Sequence, residues 1–125
     1  MKDPSLASCI DATIAENNLT AAEQLQRLVC PPGEIISLEG IESFTAIEYL
    51  GLENNQIVDL HPISALSQIK QLNVKDNDIR NFTPATSLER LKFLDSHGNI
   101  HANCDSLKTI RKTLTIKLPS HCSKG

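Results

Sequence analysis

The stretch IEYLGLENNQI, Ile47 to Ile57, decides how the rest of the chain is read. Within it Leu50 and Leu52 alternate with Tyr49, Gly51 and Glu53, the period of a strand buried on one face. Then Asn55, a polar amide, stands among apolar positions just before Ile57. Shifting the chain against itself by 22 residues repeats the pattern. Ile47, Ile69 and Leu91 align, as do Leu50, Leu72 and Leu94. Leu52 aligns with Val74, Ile57 with Ile79, Leu60 with Phe82, Ile63 with Ala85 and Leu66 with Leu88. Asn55, Asn77 and Asn99 fall in one column, and Gly33 takes that place in a degenerate first unit.

A unit this short cannot bury its own apolar face and must stack on its neighbours. Stacking places the strands side by side in a parallel sheet, about 4.8 Å apart, with the leucines pointing into the solenoid. The second half of each unit, as in DLHPISALSQ, carries Pro62 and turns the chain back along the convex side; Pro84 lies 22 residues later. The asparagine has a structural reason. Where the chain leaves each strand it must turn, and its backbone groups lose their ladder partners. A buried amide supplies two donors and an acceptor, and leaving such a group unpaired costs about 1–3 kcal/mol.

The pattern L-x-x-L-x-L-x-x-N, clearest in LGLENNQIVDLHPISALSQIKQL, resembles the 22-residue, internalin-like class of bacterial leucine-rich repeats. The same repeat type occurs in phosphatase regulators. The resemblance covers about residues 25 to 112. It implies an α/β solenoid with a short parallel concave sheet, a helical N-terminal cap and a mixed C-terminal cap. It also implies secretion or a surface location and a host or envelope protein as ligand. The sorting motif and Ig-like region that internalins carry are not in this sequence.

One domain is expected. Residues 1–24 form the N-terminal cap, residues 25–102 about three and a half repeats, and residues 103–125 the C-terminal cap. Asp3 caps a helix that has Pro4 at its first position, and Leu6, Cys9, Ile10 and Ile14 make its apolar stripe. Thr20 and Glu23 form a T-x-x-E capping box that opens a second helix near AAEQLQRL. At the other end the repeat decays: Ser96 stands where an apolar residue belongs, and His101 replaces the isoleucine. Leu107, Ile110 and Leu114 have helical spacing, and LTIKL alternates like a last strand.

Cys9, Cys30, Cys104 and Cys122 lie two near each end. Four cysteines allow three pairings. Several repeats at about 4.8 Å each separate the caps by well over 10 Å, and a disulfide needs Cα atoms within about 7 Å. This favours Cys9–Cys30 and Cys104–Cys122, each fastening one cap. Oxidised cysteines place the chain in an exporting pathway, secreted, periplasmic or at the cell surface. The start MKDPSLASC lacks the apolar core of a signal peptide, so an exported chain is expected to have lost its leader. The alternative is a cytosolic adaptor or regulator with four reduced thiols.

Strand positions that do not point inward face out of the concave sheet. They form three rows: Tyr49, Gln71 and Phe93; Gly51, Asn73 and Asp95; Glu53, Lys75 and His97. Arg27, Val29 and Pro31 extend the rows into the first unit. Phe44 and Phe82 fall at core positions, so Tyr49 and Phe93 are the aromatics left for the exposed face. Flanked by charges, they resemble a binding hot spot; ordinary cross-strand packing over the sheet is the plainer reading. Glu53 beside Lys75 reads as a solvated pair worth under about 1 kcal/mol.

The remaining chemistry is thin. A net charge of −3 gives no basic footprint for nucleic acid, and no apolar run reaches the roughly 18 residues of a membrane span. His97, His101 and Cys104 have an H-x3-H-x2-C spacing, with His121 and Cys122 beyond, but the run crosses a strand exit and no helical face joins the histidines. A disulfide at Cys104 would also remove the thiolate. No phosphate-binding glycine loop or G-x-S-x-G motif occurs, and Ser96 points away from Asp95 and His97. The expectation is therefore a monomeric, non-enzymatic module that binds a protein or peptide, with no cofactor and no metal.

Overall fold

A computed structural model describes residues 2–108 and 113–122. Five three-residue strands form one parallel sheet in sequence order: β1 Arg27–Val29, β2 Tyr49–Gly51, β3 Gln71–Asn73, β4 Phe93–Asp95 and β5 Thr115–Lys117. Every pair is joined at the same register, so Arg27, Tyr49, Gln71, Phe93 and Thr115 stand side by side. The repeat of 22 is thus the step from strand to strand. It carries through to LTIKL, which pairs with β4 as the last strand.

Leu28, Leu50, Leu72 and Leu94 at the strand centres are fully buried, and the rest of the core repeats with them. Short helical turns return the chain along the convex side: 3-10 turns at Ile41–Ser43 and His61–Ala65, helix α2 at Thr83–Thr86 and a 3-10 turn at Cys104–Leu107. They stack on one another in that order. Pro62 and Pro84 each sit in the first turn of their element, where no intrahelical N–H partner is lost.

Asn55, Asn77 and Asn99 are buried and do the work expected of them. Asn77 Nδ2 donates to Val74 O at 3.0 Å in its own repeat and to Leu52 O at 3.0 Å in the repeat before. Its Oδ1 accepts the amide of Ile57, also in the repeat before, at 3.0 Å. Asn55 and Asn99 repeat this pattern, accepting from Ile35 and Ile79. Just before this column, Asn54 and Asp76 have positive φ, and Gly98 takes the same place at φ +83°.

The N-terminal helix α1 spans Pro4–Glu16 with Asp3 as its cap. One Asp3 oxygen accepts from Ser5 and Leu6 at the helix start. The other accepts from Ile36 at 2.7 Å and Ser37 at 2.9 Å, fastening the cap to the first repeat. Leu6 and Ile10 are buried, while Cys9, Ile14 and Phe44 are partly buried against the core. Phe44 is thus less enclosed than the core position expected for it; Phe82 is fully buried.

The second helix expected near AAEQLQRL does not form. A single 3-10 turn, Ala22–Gln24, stands there. Gln24, rather than Glu23, reaches back, its Oε1 accepting from Thr20 N at 2.7 Å and Ala21 N at 3.2 Å. The reason is distance: Leu28 must already be extended and paired with Leu50, so too few residues remain for a helix, and sheet pairing overrides local propensity. In the C-terminal cap the described part of the helical run is the turn Cys104–Leu107. Leu107 and Leu114 are buried, and Ile110 lies outside the described residues.

Both expected disulfides are present. Cys9 and Cys30 are joined with Cα atoms 5.6 Å apart, and Cys104 and Cys122 at 5.4 Å. The first ties α1 to the end of β1, the second closes the chain after β5.

Candidate recognition face

The register fixes the concave rows. Arg27, Tyr49, Gln71, Phe93 and Thr115 make the first, and Val29, Gly51, Asn73, Asp95 and Lys117 the second. Glu53, Lys75 and His97 follow just past the strands.

Tyr49 and Phe93 are half-buried, separated by one strand, so their backbones stand about 10 Å apart. Neither ring projects freely. The edge of Tyr49 and the methyls of Val29 close over Gly51: a Cβ there would lie 3.5 Å from Tyr49 Cε2. The Arg27 guanidinium sits 4.2 Å from the Tyr49 ring centroid, and the Lys117 ammonium 5.9 Å from that of Phe93. Each aromatic is therefore bracketed by a cation from the outer neighbouring strand, an arrangement worth about 0.5–1 kcal/mol at an exposed site.

Between them lies a polar centre. Gln71 is exposed. Asn73 Nδ2 donates to Glu53 Oε1 at 2.8 Å, and its Oδ1 accepts from Lys75 N at 3.1 Å. Glu53 is thus engaged by Asn73 rather than by Lys75 as expected, because Asn73 lies on the adjoining strand and presents its amide directly. Asp95 faces the concave side but is only 8% exposed. Its carboxylate accepts from His97 N at 3.1 Å, closing the strand exit, so it offers less to a ligand than its row position implied. His97 is exposed, with Nδ1 3.3 Å from Leu118 O.

The sequence rows stopped one strand short. Thr115 and Lys117 complete them, and the 22-residue step from Phe93 and Asp95 would have found both.

The histidines do not converge. His101 Nδ1 lies 3.2 Å from Asp78 Oδ1, and His121 Nε2 lies 2.9 Å from Ala102 O. Cys104, His121 and Cys122 bring potential ligand atoms within 4.8 Å of one another, but both sulfurs are bonded in the disulfide and neither is a thiolate. Ser96 is fully buried, its hydroxyl donating to Lys117 O at 2.7 Å. No helix among the described residues is long and apolar enough to cross a membrane.

A parallel sheet at a 22-residue step, a buried asparagine column and disulfide-bonded caps define a leucine-rich repeat solenoid. Its fold is similar to that of solved internalins. An internalin (inlF) from Listeria monocytogenes has a similar structure, with a TM-score of 0.81 and 26% identity over 94% of this chain and 36% of that one. An internalin C2 (inlC2) from the same species is similar with a TM-score of 0.66 and 26% identity, over 78% of this chain and 42% of that one. The chain therefore spans well under half the length of these two proteins. No family model and no curated protein matches it.

Proposed function

We propose that this solenoid recognises a protein or peptide on its concave face, with Tyr49 and Phe93 as anchors. The observation that carries this reading is the arrangement across the two rows: two half-buried aromatics of the first row, each beside a cation from its outer neighbouring strand, flank the polar centre of Gln71 and Asn73. Aromatic and arginine side chains are the residues most often found at binding hot spots. A partner chain laid across the strands would meet a ring at each side and amide, carboxylate and ammonium groups between. Glu53, Lys75, Asp95 and His97 then tune its register rather than supply most of the affinity.

Export from a bacterium is part of this proposal. Two disulfides of ordinary Cα separation support an oxidising compartment. Intact mass before and after reductant distinguishes it from the cytosolic adaptor. A native chain four protons lighter than the reduced one supports export, and equal masses favour the adaptor.

Affinity capture tests the face itself. The wild type and a Tyr49→Ala/Phe93→Ala variant serve as bait against bacterial envelope and host-cell extracts. The variant should fold and lose the partners that the wild type retains. Identical partners on both would remove the concave face as the binding surface.

A further inference from the structure

Charge is unevenly spread along the solenoid. Residues 1–62 hold ten Asp and Glu against two Lys and Arg, a net of −8; residues 63–125 hold five against ten, a net of +5. A solenoid lays its units in sequence order, so for the described residues, where the second half holds seven Lys and Arg against five Asp and Glu, this separation along the chain is also a separation in space.

The acidic half contains a groove of about 410 Å³ on the convex side, where the turns Ile41–Ser43 and His61–Ala65 begin. Its floor includes Ile36 and Val58, which occupy the same position in consecutive repeats. They are 56% and 49% exposed, two of the few large aliphatic side chains left in water among the described residues. Arg80 takes that position one repeat later, so the apolar pair is confined to the first two turns. Glu39, Glu42 and Asp59 rim the groove. Glu42 Oε1 accepts from Gly40 N at 2.5 Å and Asp59 Oδ1 from His61 N at 2.9 Å, which hold both carboxylates in place. Glu39 pairs with Lys2 at 3.4 Å across an exposed contact.

Adjacent exposed aliphatics rimmed by polar groups mark interaction surfaces, and the sign of the rim selects the partner. We infer that this groove docks a basic segment of a partner protein, an extended peptide carrying an aliphatic side chain flanked by Lys or Arg. The aliphatic group covers Ile36 and Val58, while the flanking cations meet Glu42 and Asp59. Complementary charge speeds encounter and makes it salt-sensitive. The basic second half, beginning at Arg80 on the same flank, repels such a segment and keeps it on the first two repeats. None of the groove residues belongs to the concave rows, so this surface is independent of the recognition proposed there.

The test is a titration of isotope-labelled protein, followed by NMR, with two synthetic peptides of equal length. One alternates Lys with Leu, the other Glu with Leu. The Lys/Leu peptide should give saturable shifts centred on Ile36, Val58 and Asp59, weakening as salt is raised; the Glu/Leu peptide should give none. Glu42→Lys with Asp59→Lys should lower affinity by about tenfold or more, the effect of losing roughly 1.4 kcal/mol. Tyr49→Ala/Phe93→Ala should leave this binding unchanged, so failure of the groove and failure of the concave face are read separately. Equal binding of both peptides, shifts spread over every exposed carboxylate, or an unaltered affinity in the folded charge-reversed variant would overturn the inference. Should that variant not fold, the footprint on the wild type decides. Shifts at Ile36 and Val58 that grow with protein concentration alone would assign the groove to a second copy, and also overturn it.

Discussion

Asn55, Asn77 and Asn99 recur at the same step as Tyr49, Gln71 and Phe93, yet the first column keeps its residue and the second does not. The difference lies in what each position must satisfy. Inside, every turn leaves the same backbone groups without ladder partners, and an amide in the same place answers them each time. Outside, water satisfies whatever side chain the face presents. The interior is therefore repetitive because its geometry is, and the face is irregular because nothing in the fold constrains it. Specificity belongs to the irregular column.

The largest expected break in this comparison comes from Asn77→Ala set against Asn73→Ala. The first orphans Ile57 N, while Leu52 O and Val74 O keep the side-chain amides of Asn55 and Asn99, and should cost about 2–3 kcal/mol. The second loses an exposed bond to Glu53 and the one its oxygen accepts from Lys75 N, and should cost about 1 kcal/mol. Urea denaturation midpoints measure both, and equal losses would mean the inside–outside register is wrong.

A smaller effect is expected at Asp3, an interior polar group that does not repeat. The residue is 7% exposed. Burial pushes its pKa up, but the amides of Ser37, Ile36, Leu6 and Ser5 together outweigh this and hold it below the ordinary 3.8. A carboxyl lowered in this way stabilises the fold above its unfolded pKa, and the contribution is lost as pH falls through the folded value. Asp3→Asn keeps one capping oxygen but turns an amide donor toward Ile36 N and Ser37 N, so it should cost about 1–2 kcal/mol near neutrality and converge with the wild type in acid. Melting curves across pH check this; a constant gap would sever the link to ionisation.

Ser96→Ala sharpens the comparison where the interior pattern itself fails. Removing the hydroxyl from Lys117 O should cost about 1 kcal/mol and raise amide exchange in β5. Exchange unchanged in β5 would show that the backbone bond from Ser96 N to Lys117 O suffices alone. Small per site should be the cost of Tyr49→Ala with Phe93→Ala, about 0.5–1 kcal/mol for each ring, since the pair loses mainly ring–cation contacts. A much larger loss in thermal melting would make the rings structural parts of the sheet.

These same two columns explain what could be read from sequence. Leu50, Asn55 and their repeats announced strand, turn and step because each obeys a constraint that recurs every 22 residues. The disulfides followed, since stacking separates the two ends. Thr20 and Glu23 misled because a local capping signal competes with a strand only a few residues on, and the strand is anchored by the whole sheet. The burial of Asp95, the engagement of Glu53 by Asn73 and the cations over the rings depend on side-chain orientation between repeats, which no spacing encodes. Lys117 was within reach of the arithmetic, but the decay of the pattern at Ser96 hid it.

The asparagine ladder also has a direction. Each side-chain oxygen receives the amide of the repeat before it, so Ile35 depends on Asn55, Ile57 on Asn77 and Ile79 on Asn99. The series closes there, for the position 22 residues beyond Asn99 is His121. Peeling away the last repeat leaves a backbone amide of the preceding one without its acceptor, whereas peeling away the first takes an acceptor only from an asparagine side chain that keeps another carbonyl in its own repeat. The two ends of the solenoid are therefore unlike in what they expose: a tear that starts after Asn99 uncovers a backbone amide at each step, and one that starts at α1 uncovers an asparagine side chain that still has a partner.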